Sequence, residues 1–212
     1  MTMPTLAALA VHDIRAALAA HQPDTAPSKT ASRQAAVALI LHEGAHGLEV
    51  LFVQRAEHPE DPWSGQMALP GGRREPGDGA LVDAAIRETH EEVGLVLSPD
   101  ACLGRLDDLH GAGRLASFDL SISPFVFHVA ERAALTPNHE IAATVWVPLA
   151  FLGDAGNIRP YYFPPDPLKR EFPSLPYGEY IIWGLTYRIL ARFTALFGAS
   201  LPQDWDTPTG VE

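Results

Sequence analysis

The chain has 212 residues, of which 47% are hydrophobic and 19% are charged, so a disordered protein is excluded and a globular one is favoured. Its 15 basic and 26 acidic residues give a formal net charge of −11. A chain this acidic repels a phosphate backbone, which makes nucleic-acid polymers poor partners and favours divalent cations as the bridge to a small phosphorylated substrate.

The N-terminal part of the chain predicts a helix over residues 5–20, followed by a polar connection over residues 21–33. Asp13 and Arg15 interrupt the apolar residues of this helix, so we interpret it as amphipathic and not as a signal peptide. No apolar run in the sequence reaches the ~20 residues of a bilayer span, and Cys102, the only cysteine, excludes an intrachain disulfide. These features are typical of a cytoplasmic protein.

A hairpin and a helix are predicted next along the chain. The apolar residues 35–41 and 48–54 flank a turn with two glycines and predict a β-hairpin. A short strand is predicted over residues 66–69. Residues 80–93 predict a helix, which Gly94 closes in a left-handed cap.

The second half of the chain is richer in strands than in helices. We predict strands over residues 95–97, 103–106, 117–130 and 144–147. Segment 159–180, rich in proline and aromatic residues, has no clear period, whereas residues 182–197 place apolar side chains along one helical stripe. Many strands with well-separated helices indicate an α+β protein or a layered α/β/α sandwich.

Three carboxylates on the central predicted helix carry the strongest chemical signal. Glu88, Glu91 and Glu92 share one helix face, where their repulsion and the helix dipole both destabilise the helix. Mg²⁺ or Mn²⁺, which prefer hard oxygen ligands, would offset that cost. An ordinary solvated acidic face is the alternative. The metal site is favoured because the turn 70–72 can approach an anion or a metal closely, and because Arg87 can pair with a carboxylate.

Residues 71–95 resemble the Nudix box of the Nudix hydrolases, a motif in which Gly, Glu, Arg-Glu, Glu-Glu and Gly stand at fixed distances from one another. The matching residues are Gly72, Arg87-Glu88, Glu91-Glu92 and Gly94-Leu95. Two features depart from the pattern. The first acid is Asp78 instead of Glu, with eight residues instead of seven before Arg87, and Thr89 replaces the usual aliphatic residue.

The resemblance implies a Nudix fold, an α/β/α sandwich with a mixed sheet and extra helices at both ends. We expect the Nudix domain over residues 34–200, an N-terminal helix and loop over residues 1–33, and a tail over residues 201–212. The resemblance also implies hydrolysis of a diphosphate bond by water activated on Mg²⁺ or Mn²⁺. The implied metal ligands are Glu88, Glu92, a shared Glu91 and the carbonyl of Gly71.

Further residues are candidates for catalysis and substrate binding. Arg87 is expected to fix the acidic helix face, and either Glu91 or Glu140 is expected to act as the base. For Glu140, which precedes a predicted strand, an ordinary surface glutamate is the alternative. The arginines that flank the motif are candidates for contacts with substrate phosphates. They are Arg55, Arg73 and Arg74.

Other motifs resemble the coenzyme A pyrophosphatase branch of the superfamily. They are residues 51–56, 65–72 and 182–186, together with the one-residue expansion before Arg87. This resemblance implies that coenzyme A or an acyl-CoA is split into a 4′-phosphopantetheine product and adenosine 3′,5′-bisphosphate. Glu60-Asp61 occupy the region where the branch has a second arginine. The alternative substrate is ADP-ribose or another nucleoside-diphosphate derivative, and the alternative of another class is an inactive, nucleotide-sensing Nudix fold.

The two ends of the chain bear on assembly. The terminal helices and the aromatic residues in 161–180 exceed what one Nudix core must bury, so we expect a homodimer. Lys169-Arg170 would bring positive charge to the site if this segment folds over it. We expect no membrane partner.

Overall fold

The computed structural model describes residues 5–25, 33–59, 61, 63–109, 119–163, 166 and 170–202. Its helices are α1 (Val11–Ala20), α2 (Leu81–Val93), α3 (Leu149–Leu152) and α4 (Gly184–Ala195). Its strands are β1 (Arg33–Gly44), β2 (Gly47–Arg55), β3 (Met67–Ala68), β4 (Gly71–Arg73), β5 (Cys102–Arg105), β6 (Leu120–Val129), β7 (Ile141–Pro148), β8 (Arg159–Tyr162), β9 (Glu171–Tyr177) and β10 (Tyr180–Trp183).

The main sheet is mixed and has an opening between its first two strands. β1 and β2 form the predicted antiparallel hairpin, while β6 runs parallel to β1 and pairs with β5. Away from the hairpin, β1 pairs with β4 and β2 pairs with β3, so these two short strands fill the space between β1 and β2. The connection Leu69-Pro70 therefore lies in the middle of the sheet, beside the start of β1.

Side chains of β1 alternate between two cores, as the pleat of a strand requires. Ala36, Ala38 and Ile40 pack in a cluster that includes residues of α2, whereas Leu39 and Leu41 pack in a cluster that includes residues of α1 and α4. Helices thus cover both faces of the sheet. The predicted α+β architecture, in three layers, is confirmed.

Helix α2 begins and ends close to the predicted positions. The carboxylate of Asp83 accepts a hydrogen bond of 2.7 Å from the amide of Ala80 and so caps the N-terminus. Gly94 ends the helix in the left-handed conformation, with φ of 72°. Thr89, at the usually aliphatic motif position, is buried, and its hydroxyl donates to the carbonyl of Ala85 at 2.7 Å. The hydroxyl is therefore accommodated in the core without an unpaired donor.

Two predicted elements near α1 and α2 are wrong. The first helix is divided into a 3₁₀ turn, Leu6–Ala8, and α1, because the carboxylate of Asp13 accepts the amide of Ala10 and starts a new helix there. Residues 95–97 are not a strand. Leu95 and Leu97 are buried against α2 with Val96 exposed, so alternating burial occurs there without a neighbouring strand.

The proline-rich segment contains strands that the sequence did not predict. β8, β9 and β10 form a separate antiparallel sheet in the order β10-β9-β8. Pro173 faces only β8 and Pro176 faces only β10, so each proline of the central strand lies where one neighbouring strand is absent. The predicted helix 182–197 also began too early, because Ile182 belongs to β10 and α4 begins at Gly184.

The last helix is attached to the middle of the main sheet. The hydroxyl of Thr186 in α4 donates to the carbonyl of Met67 in β3 at 2.9 Å. Tyr187 and Phe193 of the same helix are buried in the core. Among the described residues, no helix is long and apolar enough to cross a membrane.

Candidate active site

Asp78 lies against helix α2 although it is displaced by one residue in the motif. Nε and Nη2 of Arg87 each lie 3.1 Å from one of its carboxylate oxygens, and the amide of Glu75 donates to it at 2.7 Å. The hydrogen bonds from Arg87 hold the pKa of the Asp78 carboxyl below its ordinary value, although burial opposes them. The loop before α2 is therefore fixed to the helix by a buried, charged aspartate.

Arg87 also contacts two of the three motif glutamates. Its Nη1 donates to Glu88 Oε1 at 3.0 Å and to Glu91 Oε2 at 3.1 Å, while Nη2 donates to the carbonyl of Arg73 at 2.9 Å. The hydrogen bond to Asp78 is the largest cause that raises the pKa of Arg87, and Glu88 raises it too, although burial opposes them. One permanently charged guanidinium thus joins the loop, β4 and the acidic face of α2.

Glu92 is the most deeply buried of the three glutamates, with 3% of its surface exposed. Its Oε2 accepts a hydrogen bond of 3.0 Å from the amide of Gly71. Burial, together with the charges of Glu88 and Glu140, raises the pKa of the Glu92 carboxyl to about 7, against the opposing effects of the Gly71 hydrogen bond and the Arg55 charge. The backbone of β4 therefore contacts the acidic face directly.

Glu88 is held close to the backbone of the same strand. A Cβ at Gly72 would overlap the carboxylate of Glu88 where it now lies, so a larger residue at this position would displace that carboxylate. Burial raises the pKa of the Glu88 carboxyl; Arg87 lowers it, and the charges of Glu91 and Glu140 raise it. The carboxylate of Glu88 is therefore near enough to be repelled by those of Glu91, Glu92 and Glu140.

Arg55 and Glu140 are brought to this cluster by neighbouring strands. Arg55 ends β2 opposite Ile141, the first residue of β7, and the amide of Ala56 donates to the carbonyl of Glu140 at 2.7 Å. Arg55 Nε lies 2.7 Å from Asp61 Oδ2. The positive charge of Arg55 is near enough to lower the pKa of the Glu92 carboxyl.

A family model of the NUDIX domain matches residues 32–167, which include the whole of this cluster. The chain belongs to the NUDIX family. It is 29% identical over 147 residues to an uncharacterized Nudix hydrolase NudL of Yersinia enterocolitica, covering 68% of this chain and 71% of the relative. It is 32% identical over 179 residues to Nudix hydrolase 22, chloroplastic, of Arabidopsis thaliana, covering 81% of this chain and 57% of the relative.

A solved structure shares the Nudix fold. The MutT/nudix family protein from Enterococcus faecalis superposes with a TM-score of 0.51 at 18% identity, covering 82% of this chain and 58% of that chain. The chain thus spans little more than half the length of the plant relative and of this solved structure. The predicted Nudix resemblance is confirmed at the level of the family and the fold.

The three arginines that flank the Nudix motif lie in different surroundings. Arg55 lies beside the carboxylate cluster. The guanidinium of Arg74 instead donates to the side chain of Gln34 and to the carbonyls of Asp78 and Gly79, which ties it to the loop before α2. Arg73 is exposed, and its carbonyl accepts from Arg87.

Two other charged positions are placed by the structure. Asp61 faces Arg55, whereas Glu60 lies outside the described residues. Arg170 pairs with Asp166, its Nε lying 2.9 Å from Oδ2, and lies over the ring of Phe172. Lys169 lies outside the described residues.

The residues of the Nudix cluster fit a divalent cation by their chemistry. They offer hard carboxylate oxygens whose mutual repulsion a cation would relieve. Within the described ranges, no three His, Cys, Asp or Glu side chains already converge on a single point. The guanidinium of Arg87 bonds to Glu88 and Glu91, and Glu92 is bonded to Gly71, so these carboxylates must reorient to share an ion.

Two features of the Nudix site were not resolved from sequence. The role of Asp78 was unassigned, because the eight-residue spacing places it in a loop whose path the sequence does not specify. The pairing of Asp61 with Arg55 across the loop was also missed. In the sequence this pair is visible only as an acidic residue six positions after an arginine at a strand end. That pattern is common in surface loops.

Proposed function

We propose that the chain is a metal-dependent hydrolase that cleaves the diphosphate bond of a small nucleotide-derived molecule. The observation that carries this proposal is the cluster of Glu88, Glu91 and Glu92, held by Arg87 and the amide of Gly71, with Glu140 near enough for its charge to act on Glu88 and Glu92. So many adjacent carboxylates in a net acidic protein are unfavourable for direct binding of an anion. A cation between protein and substrate removes this conflict.

Glu88 and Glu92 are the proposed principal ligands for Mg²⁺ or Mn²⁺, with Glu91 shared and the carbonyl of Gly71 as a further ligand. Glu92 suits this role because its buried carboxylate has a single described hydrogen-bond donor, the amide of Gly71. When bound, a divalent ion neutralises diphosphate charge and lowers the pKa of the attacking water. Arg87 keeps its position on the acidic face through Asp78, so Glu88 and Glu91 remain aligned.

Glu91 and Glu140 are the two candidates for the base that takes the proton from the attacking water. Glu91 is about half exposed and receives one hydrogen bond from Arg87, so its second oxygen can accept a proton. Glu140 is exposed, and its charge acts on both Glu88 and Glu92. At saturating metal, the two variants Glu91→Gln and Glu140→Gln distinguish them, because loss of the base lowers kcat and removes the ionisation of that group from the acidic limb of the pH–rate profile.

Coenzyme A or an acyl-CoA is the first substrate proposed, on the motif resemblance in residues 51–56, 65–72 and 182–186. Residues 182–186 form the end of β10 and the start of α4. Thr186 donates a hydrogen bond to β3, which comes just before the turn 70–72. The second candidate is ADP-ribose or a related nucleoside-diphosphate derivative. It is favoured by the acidic loop at Asp61, which offers no extra positive charge to the 3′-phosphate of coenzyme A.

A phosphate-release screen tests the proposal. The full chain is incubated with a panel of diphosphate compounds and Mg²⁺ or Mn²⁺, and an added phosphatase converts new phosphomonoesters to free phosphate. Mass spectrometry of the coenzyme A reaction should show adenosine 3′,5′-bisphosphate and a 4′-phosphopantetheine product. Tight nucleotide binding without turnover of any compound would instead identify the inactive sensor.

A further inference from the structure

We propose that Asp61 is a positioning residue, which holds Arg55 as the phosphate-binding arginine of the site. This inference rests on the proposed function, because it assigns the diphosphate of the substrate to one of the three arginines near the Nudix motif. Its physical basis is the pairing of the two side chains and the location of Arg55 beside the carboxylate cluster.

The pairing uses only one edge of the guanidinium. Arg55 Nε donates to Asp61 Oδ2 at 2.7 Å. The two terminal nitrogens of Arg55 have no hydrogen bond to any residue in the described ranges. The side chains of Arg55 and Asp61 are 30% and 16% exposed, so the pair is partly shielded from water while the Arg55 side chain keeps some contact with solvent. Two such donors in a fixed plane match two oxygens of a phosphate.

Asp61 is itself held rigidly by the loop that carries it. Its Oδ1 accepts the amide of Trp63 at 3.0 Å, so both carboxylate oxygens are occupied. Its amide donates to the carbonyl of His58, and its carbonyl accepts the amide of Ser64, each at 3.1 Å. Rotation of the carboxylate would break the bond to Arg55 or the bond to Trp63, so Asp61 fixes the direction of the guanidinium.

The location of Arg55 selects it from the three arginines. The residue after it, Ala56, is hydrogen-bonded to Glu140, and the charge of Arg55 acts on the carboxyl of Glu92. Arg74 already uses its guanidinium on Gln34 and on the loop before α2. A diphosphate bound between cations on the carboxylates and Arg55 would therefore have positive charge on both sides.

The test is a double-mutant cycle on the binding of a non-hydrolysable diphosphate, α,β-methylene-ADP, with Mg²⁺ present. Isothermal titration calorimetry gives Kd for wild type, Asp61→Asn, Arg55→Gln and the double variant. Loss of one charge-assisted contact corresponds to a change of about tenfold to a hundredfold in Kd. We expect Arg55→Gln to weaken binding by this amount, and Asp61→Asn to weaken it severalfold only while Arg55 is present.

Kinetics with a substrate from the screen supply the second readout. We expect Asp61→Asn to raise KM with kcat changed less than about threefold, because the effect is on substrate binding. Glu57→Gln, which removes an exposed acid from the same loop, is the matched control and should leave Kd and KM unchanged. Arg55→Lys keeps the charge without the paired terminal donors, and it should bind α,β-methylene-ADP nearly as weakly as Arg55→Gln.

Three results would overturn the inference: wild-type Kd for Asp61→Asn, additive effects in the double variant, or wild-type Kd for Arg55→Lys. Thermal melts identify variants that fail to fold, and Arg55→Lys carries the test should Asp61→Asn do so. The inference fails separately from the proposed function, because a variant set that hydrolyses diphosphates with unchanged Kd contradicts only the roles given to Asp61 and Arg55. A wild-type chain that binds the analogue through Arg55 but hydrolyses nothing contradicts only the proposed function.

Discussion

Arg87 and Asp78 form a two-point contact, in which Nε and Nη2 of the arginine each lie 3.1 Å from a carboxylate oxygen of the aspartate. The remaining terminal nitrogen of Arg87 contacts Glu88 and Glu91. The aspartate is therefore connected to the acidic face of α2 through one guanidinium. Asp78 stands one residue further from Arg87 than the acid of the motif does, but the path of the loop still brings its carboxylate to Arg87.

The first prediction is that Asp78→Asn destabilises the fold. The substitution leaves a half-buried Arg87 without its principal charged partner, so the free energy of unfolding should fall by about 1–3 kcal/mol. Thermal or urea unfolding measures this change. Glu75→Gln is the control, because Glu75 is exposed and lies 4.0 Å from Arg87, and it should change stability little. Equal stability of Asp78→Asn and wild type would contradict the structural role of the contact.

The second prediction concerns Glu92→Gln. The amide retains an oxygen for the hydrogen bond from Gly71 and removes the charge of the proposed metal ligand. We expect kcat to fall by at least about a hundredfold, with little loss of stability because a buried, repelled charge is also removed. The measurement is kcat at saturating metal, with a thermal melt of the same sample. Glu131→Gln, an exposed acid outside the cluster, is the control, and an active Glu92→Gln enzyme would falsify the ligand assignment.

The third prediction is that activity requires a divalent metal. EDTA should abolish turnover, and Mg²⁺ or Mn²⁺ should restore it. Full turnover in the presence of the chelator would exclude the proposed mechanism.

The pKa of Glu92 gives the metal response a pH dependence. Its folded value of about 7 lies above the ordinary value of 4.5, so the folded state retains a proton that the unfolded state loses between these pH values. This group therefore lowers stability as pH rises through that window, in the absence of metal. Because the bound ion needs the ionised form, Mn²⁺ should raise Tm more at pH 8 than at pH 6. Glu92→Gln should remove most of that difference, and an equal Tm shift at both pH values would contradict the account.

The fourth prediction concerns the choice of diphosphate. Coenzyme A carries a 3′-phosphate that dephospho-coenzyme A lacks, and selection for this group requires positive charge. Arg55 is engaged by Asp61 and assigned to the diphosphate, and Arg170 is paired with Asp166, so neither arginine is left over for the 3′-phosphate. We expect coenzyme A to be hydrolysed with at most about a tenfold preference over dephospho-coenzyme A. The measurement is kcat/KM for coenzyme A, dephospho-coenzyme A and ADP-ribose, side by side. A preference for ADP-ribose of more than about tenfold would contradict coenzyme A as the substrate.

The fifth prediction is a homodimer. Tyr162 and Ile181 are exposed on the small sheet of β8, β9 and β10, next to a cluster of aromatic rings around Trp183. Exposed apolar side chains of this kind are common at interfaces between subunits. Light scattering at micromolar concentration should give twice the mass of the chain, 22.9 kDa. A monomer mass would count decisively against it, and Tyr162→Glu should favour the monomer if this surface is the interface.

The sequence predicted best where local chemistry decides the structure. The three motif glutamates are placed together by helix periodicity alone, and Gly94 can adopt the cap conformation because it lacks a Cβ. The sequence predicted less of the structure where contacts between residues distant in the chain decide it. Leu95 and Leu97 alternate like strand residues but pack against a helix, and Pro173 and Pro176 are tolerated in β9 only because of the staggered lengths of its neighbours. The contact between Asp61 and Arg55 likewise depends on the course of a loop.

Because α4 is attached to β3, a fragment of this chain must extend through α4 in order to fold. Residues 32–167 carry the family match, yet Tyr187 and Phe193 lie beyond them and fill the core on one face of the sheet. A truncation at residue 167 would leave the carbonyl of Met67 without the hydroxyl of Thr186, four residues before the glycine that contacts Glu92. Shortened versions of this chain should therefore keep α4, and loss of activity on C-terminal truncation would not by itself locate a catalytic residue there.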